Sequence, residues 1–155
     1  MSLISVTAGG LHCPAGDFYI DPWRPAPRAV ITHAHGDHLR PGSERYYVSR
    51  AGEILVRRRL PPEARITALD YGEPLDFGGV RASLHPAGRV LGSAQVRIEH
   101  GGQIWVVSGD YKRDPDPTCA PFEVLPCDVV ISEATFALPV YRWTPTAAVA
   151  AEIRA

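Results

Sequence analysis

Four side chains that can bind a metal ion fall within one six-residue stretch, His33-Ala34-His35-Gly36-Asp37-His38. Imidazole nitrogens combined with a carboxylate suit zinc, with manganese or iron also compatible. The stretch follows Ala29-Val30-Ile31-Thr32, an apolar and β-branched run that predicts a buried strand ending where the first histidine begins. In extended backbone, side chains two apart point the same way, so His33 and His35 can grip one ion from one side. Gly36 permits a tight turn, after which Asp37 and His38 project from a short helical turn beside the first pair.

The rest of the chain must position that stretch. With 155 residues, 45% of them hydrophobic, it has enough apolar material for one domain with a core. A net charge of −1 supplies no global field toward nucleic acid or membrane, so a polyanionic substrate would be held locally, by metal and a few arginines. Cys13, Cys119 and Cys127 lack the paired spacing of a zinc ribbon, which predicts reduced thiols and a cytoplasmic setting. Neither a basic leader followed by an apolar core nor a run of membrane-spanning length is present, so no membrane partner is expected. Arg57-Arg58-Arg59 reads as the solvated face of a helix rather than a site.

Fifteen prolines and fourteen glycines are spread along the chain as punctuation between short strands. Leu3 to Thr7 and Asp17 to Asp21 predict strands, the second stopped by Pro22. Asp21 then reads either as a support for the metal loop or as a plain turn residue before proline. Arg45 to Ser49 suits a strand, and Arg50 to Leu60 a helix with Ala51, Ile54 and Leu55 on one face and Glu53 four residues before Arg57. Val80-Ala82-Leu84 and Ala94-Val96-Ile98 alternate with polar residues as strands, and Gly101-Gly102 forms a hairpin turn. Ile104 to Val107 is apolar on both faces, which predicts a sheet covered on both sides. It ends in Ser108-Gly109-Asp110, where the aspartate is either a ligand on a rigid scaffold or ordinary turn chemistry. Val129 to Ile131 predicts a further buried strand delivering Glu133, and Thr146 to Ala155 a helix that the chain leaves uncapped, as a truncated chain would.

The metal-loop stretch resembles the HxHxDH motif of the metallo-β-lactamase superfamily. Together with Cys13 to Phe18, Ile20 to Pro25, Leu84 to Gln95, Ser108 to Lys112 and Glu133 to Phe136, it resembles the β-CASP group of nucleases within that superfamily. More narrowly it is similar to bacterial DNA-ligase-associated exonucleases related to RNA 3′-end processing factors. That resemblance implies an α/β (α+β) fold, the αββα sandwich with mostly antiparallel or mixed sheets, of which residues 1–155 would be the N-terminal part before the cap region. It implies metal-dependent phosphodiester hydrolysis with two zinc ions, or manganese: His33 and His35 on one, Asp37 and His38 on the other, and Asp110 bridging. Asp37 would accept a proton from the attacking water, Glu133 would orient an acid histidine from later in the chain, and Asp21 would support the loop from behind. The implied partners are nucleic acid, DNA ahead of RNA, and a DNA ligase or helicase.

The sequence departs from that pattern in two places. It ends about where the cap would begin, and Arg89 stands where the family's AGHVLGSAQ stretch carries a histidine ligand. A guanidinium has no lone pair and stays protonated, so Arg89 cannot ligate and His85 is a weak substitute. The expectations are therefore one or no tightly held zinc, impaired activity, an Arg89 pair with Asp110 or Asp37, and self-association through an exposed sheet surface. A non-catalytic remnant with weak metal binding is the rival reading. A superfamily hydrolase of esters or lactams is the third, against which the Leu91 to Gln95 and Glu133 to Phe136 stretches stand.

Overall fold

A computed structural model describes residues 2–154. Six strands form the first sheet in chain order: β1 (Ser5–Thr7), β2 (Gly10–Cys13), β3 (Phe18–Ile20), β4 (Ala29–Val30), β5 (Tyr46–Ser49) and β6 (Ile66–Leu69). The first three run antiparallel and β3 to β6 run parallel. The second sheet contains β7 (Leu75–Asp76), β8 (Arg81–Pro86), β9 (Ala94–His100), β10 (Gln103–Val107) and β11 (Val129–Ile131), with β7 and β11 at its edges. Only its β10–β11 pairing is parallel. Both sheets are thus mixed, as expected of an α+β sandwich.

Alternation along the strands sends alternate residues to opposite faces. Phe18, Ile20, Val30, Tyr47 and Leu69 from the first sheet meet Ala82, Leu84, Ala94, Val96, Ile98 and Val107 from the second in one buried core. The outer face of the first sheet, Ala29, Ile31, Tyr46 and Val48, packs with Val56 and Leu60 of the connection between β5 and β6. That connection is α1 (Glu53–Arg59), preceded by a single 3-10 turn at Arg50–Gly52. The described residues therefore make a helix–sheet–sheet stack, to which α2 (Thr146–Arg154) adds a last, solvent-exposed helix.

The structure corrects three local expectations. The 3-10 turn shifts the helical phase, so Val56 is the buried residue of α1 while Ile54 is exposed. The Glu53–Arg57 pair does form, at 2.7 Å. Covering of β10 on both sides reaches only its end, Val106 and Val107, since Ile104 and Trp105 are half-buried. Finally, β11 is an edge strand whose Val130 is 61% exposed rather than buried.

Candidate metal centre

Parallel strands carry their C-terminal ends to one edge, and β4 ends there at Val30, from which Ile31 leads to Thr32 and His33. Past Val30, the Ile31 N–H still donates to the Tyr47 carbonyl at 2.9 Å, and the Asp21 side chain then takes the next residue, Thr32. Backbone N–H of Thr32 donates to Asp21 Oδ1 at 2.8 Å, and the Thr32 hydroxyl donates to Asp21 Oδ2 at 2.5 Å. Asp21 itself holds a left-handed backbone, φ +43°, a conformation aspartate tolerates better than most residues. The metal loop then closes as a helical turn, the backbone N–H groups of His38 and Leu39 both reaching the His35 carbonyl.

This turn gathers the side chains. His33 is 3% exposed, and its Nε2 lies 2.9 Å from His35 Nδ1 and 3.8 Å from Asp110 Oδ2. Those three donors all lie within 4.8 Å of one another. His38 Nε2 lies 3.5 Å from Asp37 Oδ2 and 3.4 Å from Asp110 Oδ1. Its other nitrogen, Nδ1, donates to Asp21 Oδ2 at 2.7 Å, which turns Nε2 toward the two aspartates. Asp110, from the second sheet, therefore stands between two donor sets and turns one oxygen to each.

Burial pushes the His33 imidazole down to about 4, with the neighbouring His38 adding to the effect, so His33 is neutral near pH 7 and its ring has a lone pair to offer. For His38, burial works downward but the Asp21 hydrogen bond and the charges of Asp21, Asp110 and Asp37 outweigh it and raise the pKa. The Asp37 carboxyl is held below its usual value, first by its own backbone N–H and then, against a little burial, by the histidines.

The donor chemistry fits zinc. Bonds of about 2.0–2.2 Å in a tetrahedral site separate ligand atoms by roughly 3.4 Å, which matches the contacts of His38 with Asp37 and Asp110. The set of His33, His35 and Asp110, of which His33 is buried and the other two half-buried, gathers three donors within reach of one another; the other depends on Asp37, whose side chain is 76% exposed. A cavity of about 520 Å³ opens on Asp21, Asp37, His38, Asp110 and Glu133. A second, of about 530 Å³, shares Asp110 and Glu133 with it and extends past Arg89.

One expectation fails here. Arg89 is exposed and, among the described residues, forms no ion pair with Asp110, Asp37 or any other carboxylate. The reason is local: its backbone N–H is tied to Ser93 Oγ at 3.0 Å in the turn before β9, and the side chain lies along the second cavity instead. His85 is also committed elsewhere, with Nε2 at 3.0 Å from Ser83 Oγ and Nδ1 at 3.1 Å from Glu123 Oε2. Glu133 is half-buried at the junction of the cavities, its Oε2 accepting the Thr135 N–H at 3.2 Å. Sequence reasoning missed Thr32, which joins Asp21 to the loop, and Gly109, which lies against Thr32. The β-branched Thr32 reads simply as strand in the sequence, and the contact with Gly109 is between distant parts of the chain.

No family model matches the chain. A probable DNA ligase of Opitutus terrae is 33% identical over 147 residues, 93% of this chain and 14% of the ligase. Endoribonuclease YSH1 is 36% identical in Eremothecium gossypii and 38% identical in Candida glabrata, in both cases over 74 residues, 46% of this chain and 10% of the relative. The chain thus spans about a tenth to a seventh of the length of these curated relatives.

Proposed function

This chain is a metallo-β-lactamase-fold relative of the β-CASP nucleases, and from that premise we propose that it is the metal-holding part of a metal-dependent phosphodiester hydrolase acting on nucleic acid. The observation that carries this reading is Asp110, which turns one oxygen to His33 and the other to His38 at the mouth of a cavity. Zinc would be held in two sets, the first His33, His35 and Asp110, the second Asp37, His38 and Asp110, with one or none of the ions held tightly. When bound, such a pair lowers the pKa of an attacking water and neutralises phosphoryl oxygens as charge develops.

The chain's own residues do the rest. Asp37 is ionised and reaches the cavity, so it can take the proton of the attacking water. Asp21 fixes the direction of His38, and Glu133 stands beside Asp110 to orient an acid on the leaving-group side. Arg89 contributes no ligand, so the first ion has three protein donors and turnover by this chain is slow. DNA is preferred to RNA as substrate, because the DNA-ligase similarity runs along nearly the whole chain and the endoribonuclease similarity along half. A DNA ligase or helicase is the protein partner proposed, the ligase being the one to which the similarity points. Residues 1–155 would be the N-terminal part of a larger sandwich domain. Cys13, Cys119 and Cys127 are free thiols, which suits a cytoplasmic setting. No described helix is long and apolar enough to cross a membrane.

Single-stranded DNA and RNA of equal sequence, together with ester and lactam substrates, provide the test. Slow cleavage of the DNA that requires added zinc or manganese and disappears in His33→Ala and Asp110→Asn is expected. Ester or lactam hydrolysis in its place, or cleavage that survives both substitutions, refutes the reading. No cleavage of any substrate at saturating metal would favour the non-catalytic remnant.

A further inference from the structure

The cavity of about 530 Å³ beyond Asp110 combines two chemistries that the donor sets do not use. Arg89 and Lys112 contribute cations to its wall alongside the carboxylates of Asp110, Asp114 and Glu133, and Phe136 and Trp143 contribute aromatic rings. The Lys112 ammonium is 3.6 Å from Asp116, whereas Arg89 is exposed with no ion-pair partner among the described residues. Phe136 meets Trp143 edge-on at 5.1 Å between centroids, which leaves Trp143 73% exposed with its ring braced on one side. A cavity of this size holds a small organic ligand. An unpaired guanidinium takes phosphate oxygens in its planar fork, and an exposed indole face takes a nucleobase. Because Asp110 and Glu133 line this cavity and the metal-loop cavity alike, a ligand in it would adjoin the donor sets.

We propose that this cavity is a nucleotide subsite for single-stranded DNA, in which Arg89 pairs with a backbone phosphate and Trp143, braced by Phe136, stacks on a base. Its placement next to the scissile phosphate rests on the hydrolase reading above; its capacity to bind does not. Arg89 then has a physical role at this edge. A side chain without a lone pair is useless to a cation but is well shaped for a phosphate at the same edge.

Binding of a fluorescein-labelled single-stranded deoxyhexanucleotide to the chelator-treated chain, followed by anisotropy over a range of salt concentrations, tests the two roles separately. Trp143→Ala should weaken binding by about fivefold or more with the salt slope unchanged, and Trp143→Phe should recover most of the loss. Arg89→Ala should reduce the slope of log affinity against log salt by about 0.7, the release expected for one single-strand phosphate contact, while Arg89→Lys should keep it. Zinc affinity should be the same in Arg89→Ala and wild type. All of these side chains are exposed, so the substitutions leave the core intact. Absence of binding by the wild type, full affinity in Trp143→Ala or an unchanged slope in Arg89→Ala would overturn the assignment. A chain that binds in this way but never hydrolyses would keep the subsite and refute the hydrolase reading. A chain that hydrolyses while both variants bind normally would do the reverse.

Discussion

Gly109→Ala puts one methyl group where the two sheets meet at the metal loop. Gly109 has φ +55°, and an added Cβ would lie 2.7 Å from Thr32 Cβ, 2.8 Å from its Oγ1 and 2.9 Å from its Cγ2. Two costs add. A left-handed backbone costs a residue with a Cβ about 1–2 kcal/mol, and forcing a methyl group into closed packing costs about 1–3 kcal/mol more. The total of roughly 2–5 kcal/mol is a large fraction of the ~5–15 kcal/mol that holds a domain together. Relief requires either Thr32 or the Ser108–Asp110 segment to move. Thr32 is tied to Asp21, and Asp110 is placed at 3.8 Å from His33 and 3.4 Å from His38, so either shift spoils both donor sets. Urea unfolding and zinc titration against a chromophoric chelator should show the stability loss and at least about tenfold weaker zinc binding. Gly102→Ala is the control: φ is +78° and nothing lies within 4 Å, so it carries only the backbone cost and leaves zinc affinity alone. If the two variants behave alike, Gly109 does not position Asp110 through Thr32.

Asp21→Asn keeps a residue that tolerates φ +43° and keeps an acceptor for Thr32 N–H, but removes the charge facing His38; zinc titration should show the weaker equivalent losing about tenfold. In the metal-free chain, His33 at about 4 refuses a proton that the unfolded chain accepts near pH 6.5, so the unfolding free energy from urea titrations should fall as pH drops through that window, by on the order of 3 kcal/mol. His38 is shifted upward, so its contribution is full below about pH 6.5 and is lost as pH rises through its folded value; stability therefore peaks near pH ~6.5, and His33→Gln flattens the acid limb only. Val130 is 61% exposed on edge strand β11, so the chain should associate with increasing concentration in sedimentation, and Val130→Lys should reverse this.

Much of the loop geometry follows from short-range rules. A strand, a glycine and a helical turn are local features, so the direction of His33, His35, Asp37 and His38 can be read from their spacing. The alternation of Val80 to Ile98 likewise marks the core face of β8 and β9, because the period is two and the apolar residues share one face, although Ser83 and Gln95 of the other face are buried as well. What escaped the sequence depends on contacts across the fold. The helical phase moved because a 3-10 turn, capped by Ser49 and closed against Gly92, precedes α1. Arg89 misses Asp110 because the turn before β9 is set by Ser93. Val130 is exposed because residues of β11 alternate faces and its neighbour Ile131 takes the core side, which no pattern in three apolar residues could reveal.

The donor sets draw on both sheets, and this couples metal affinity to the stability of the sandwich. His33, His35, Asp37 and His38 follow a strand of the first sheet, and Asp110 follows a strand of the second. Outside the apolar core, the sheets are joined near the loop by the Ala94 N–H donating to the Thr32 carbonyl at 2.8 Å. An ion held by His33, His35 and Asp110 would act as a further cross-link, present only in the folded chain. A ligand that binds only the folded state at a hundred times its Kd raises stability by about 2.7 kcal/mol. The urea midpoint of the wild type should therefore rise as free zinc is increased. Asp110→Asn should lose nearly all of that rise, since it removes the one carboxylate common to both sets. Asp37→Asn should lose only part of it, because the set of His33, His35 and Asp110 is untouched and the Asp37 side chain is 76% exposed. Equal rises in wild type and Asp110→Asn would show that zinc binds outside the junction of the sheets, and Asp110 would then be an ordinary turn residue.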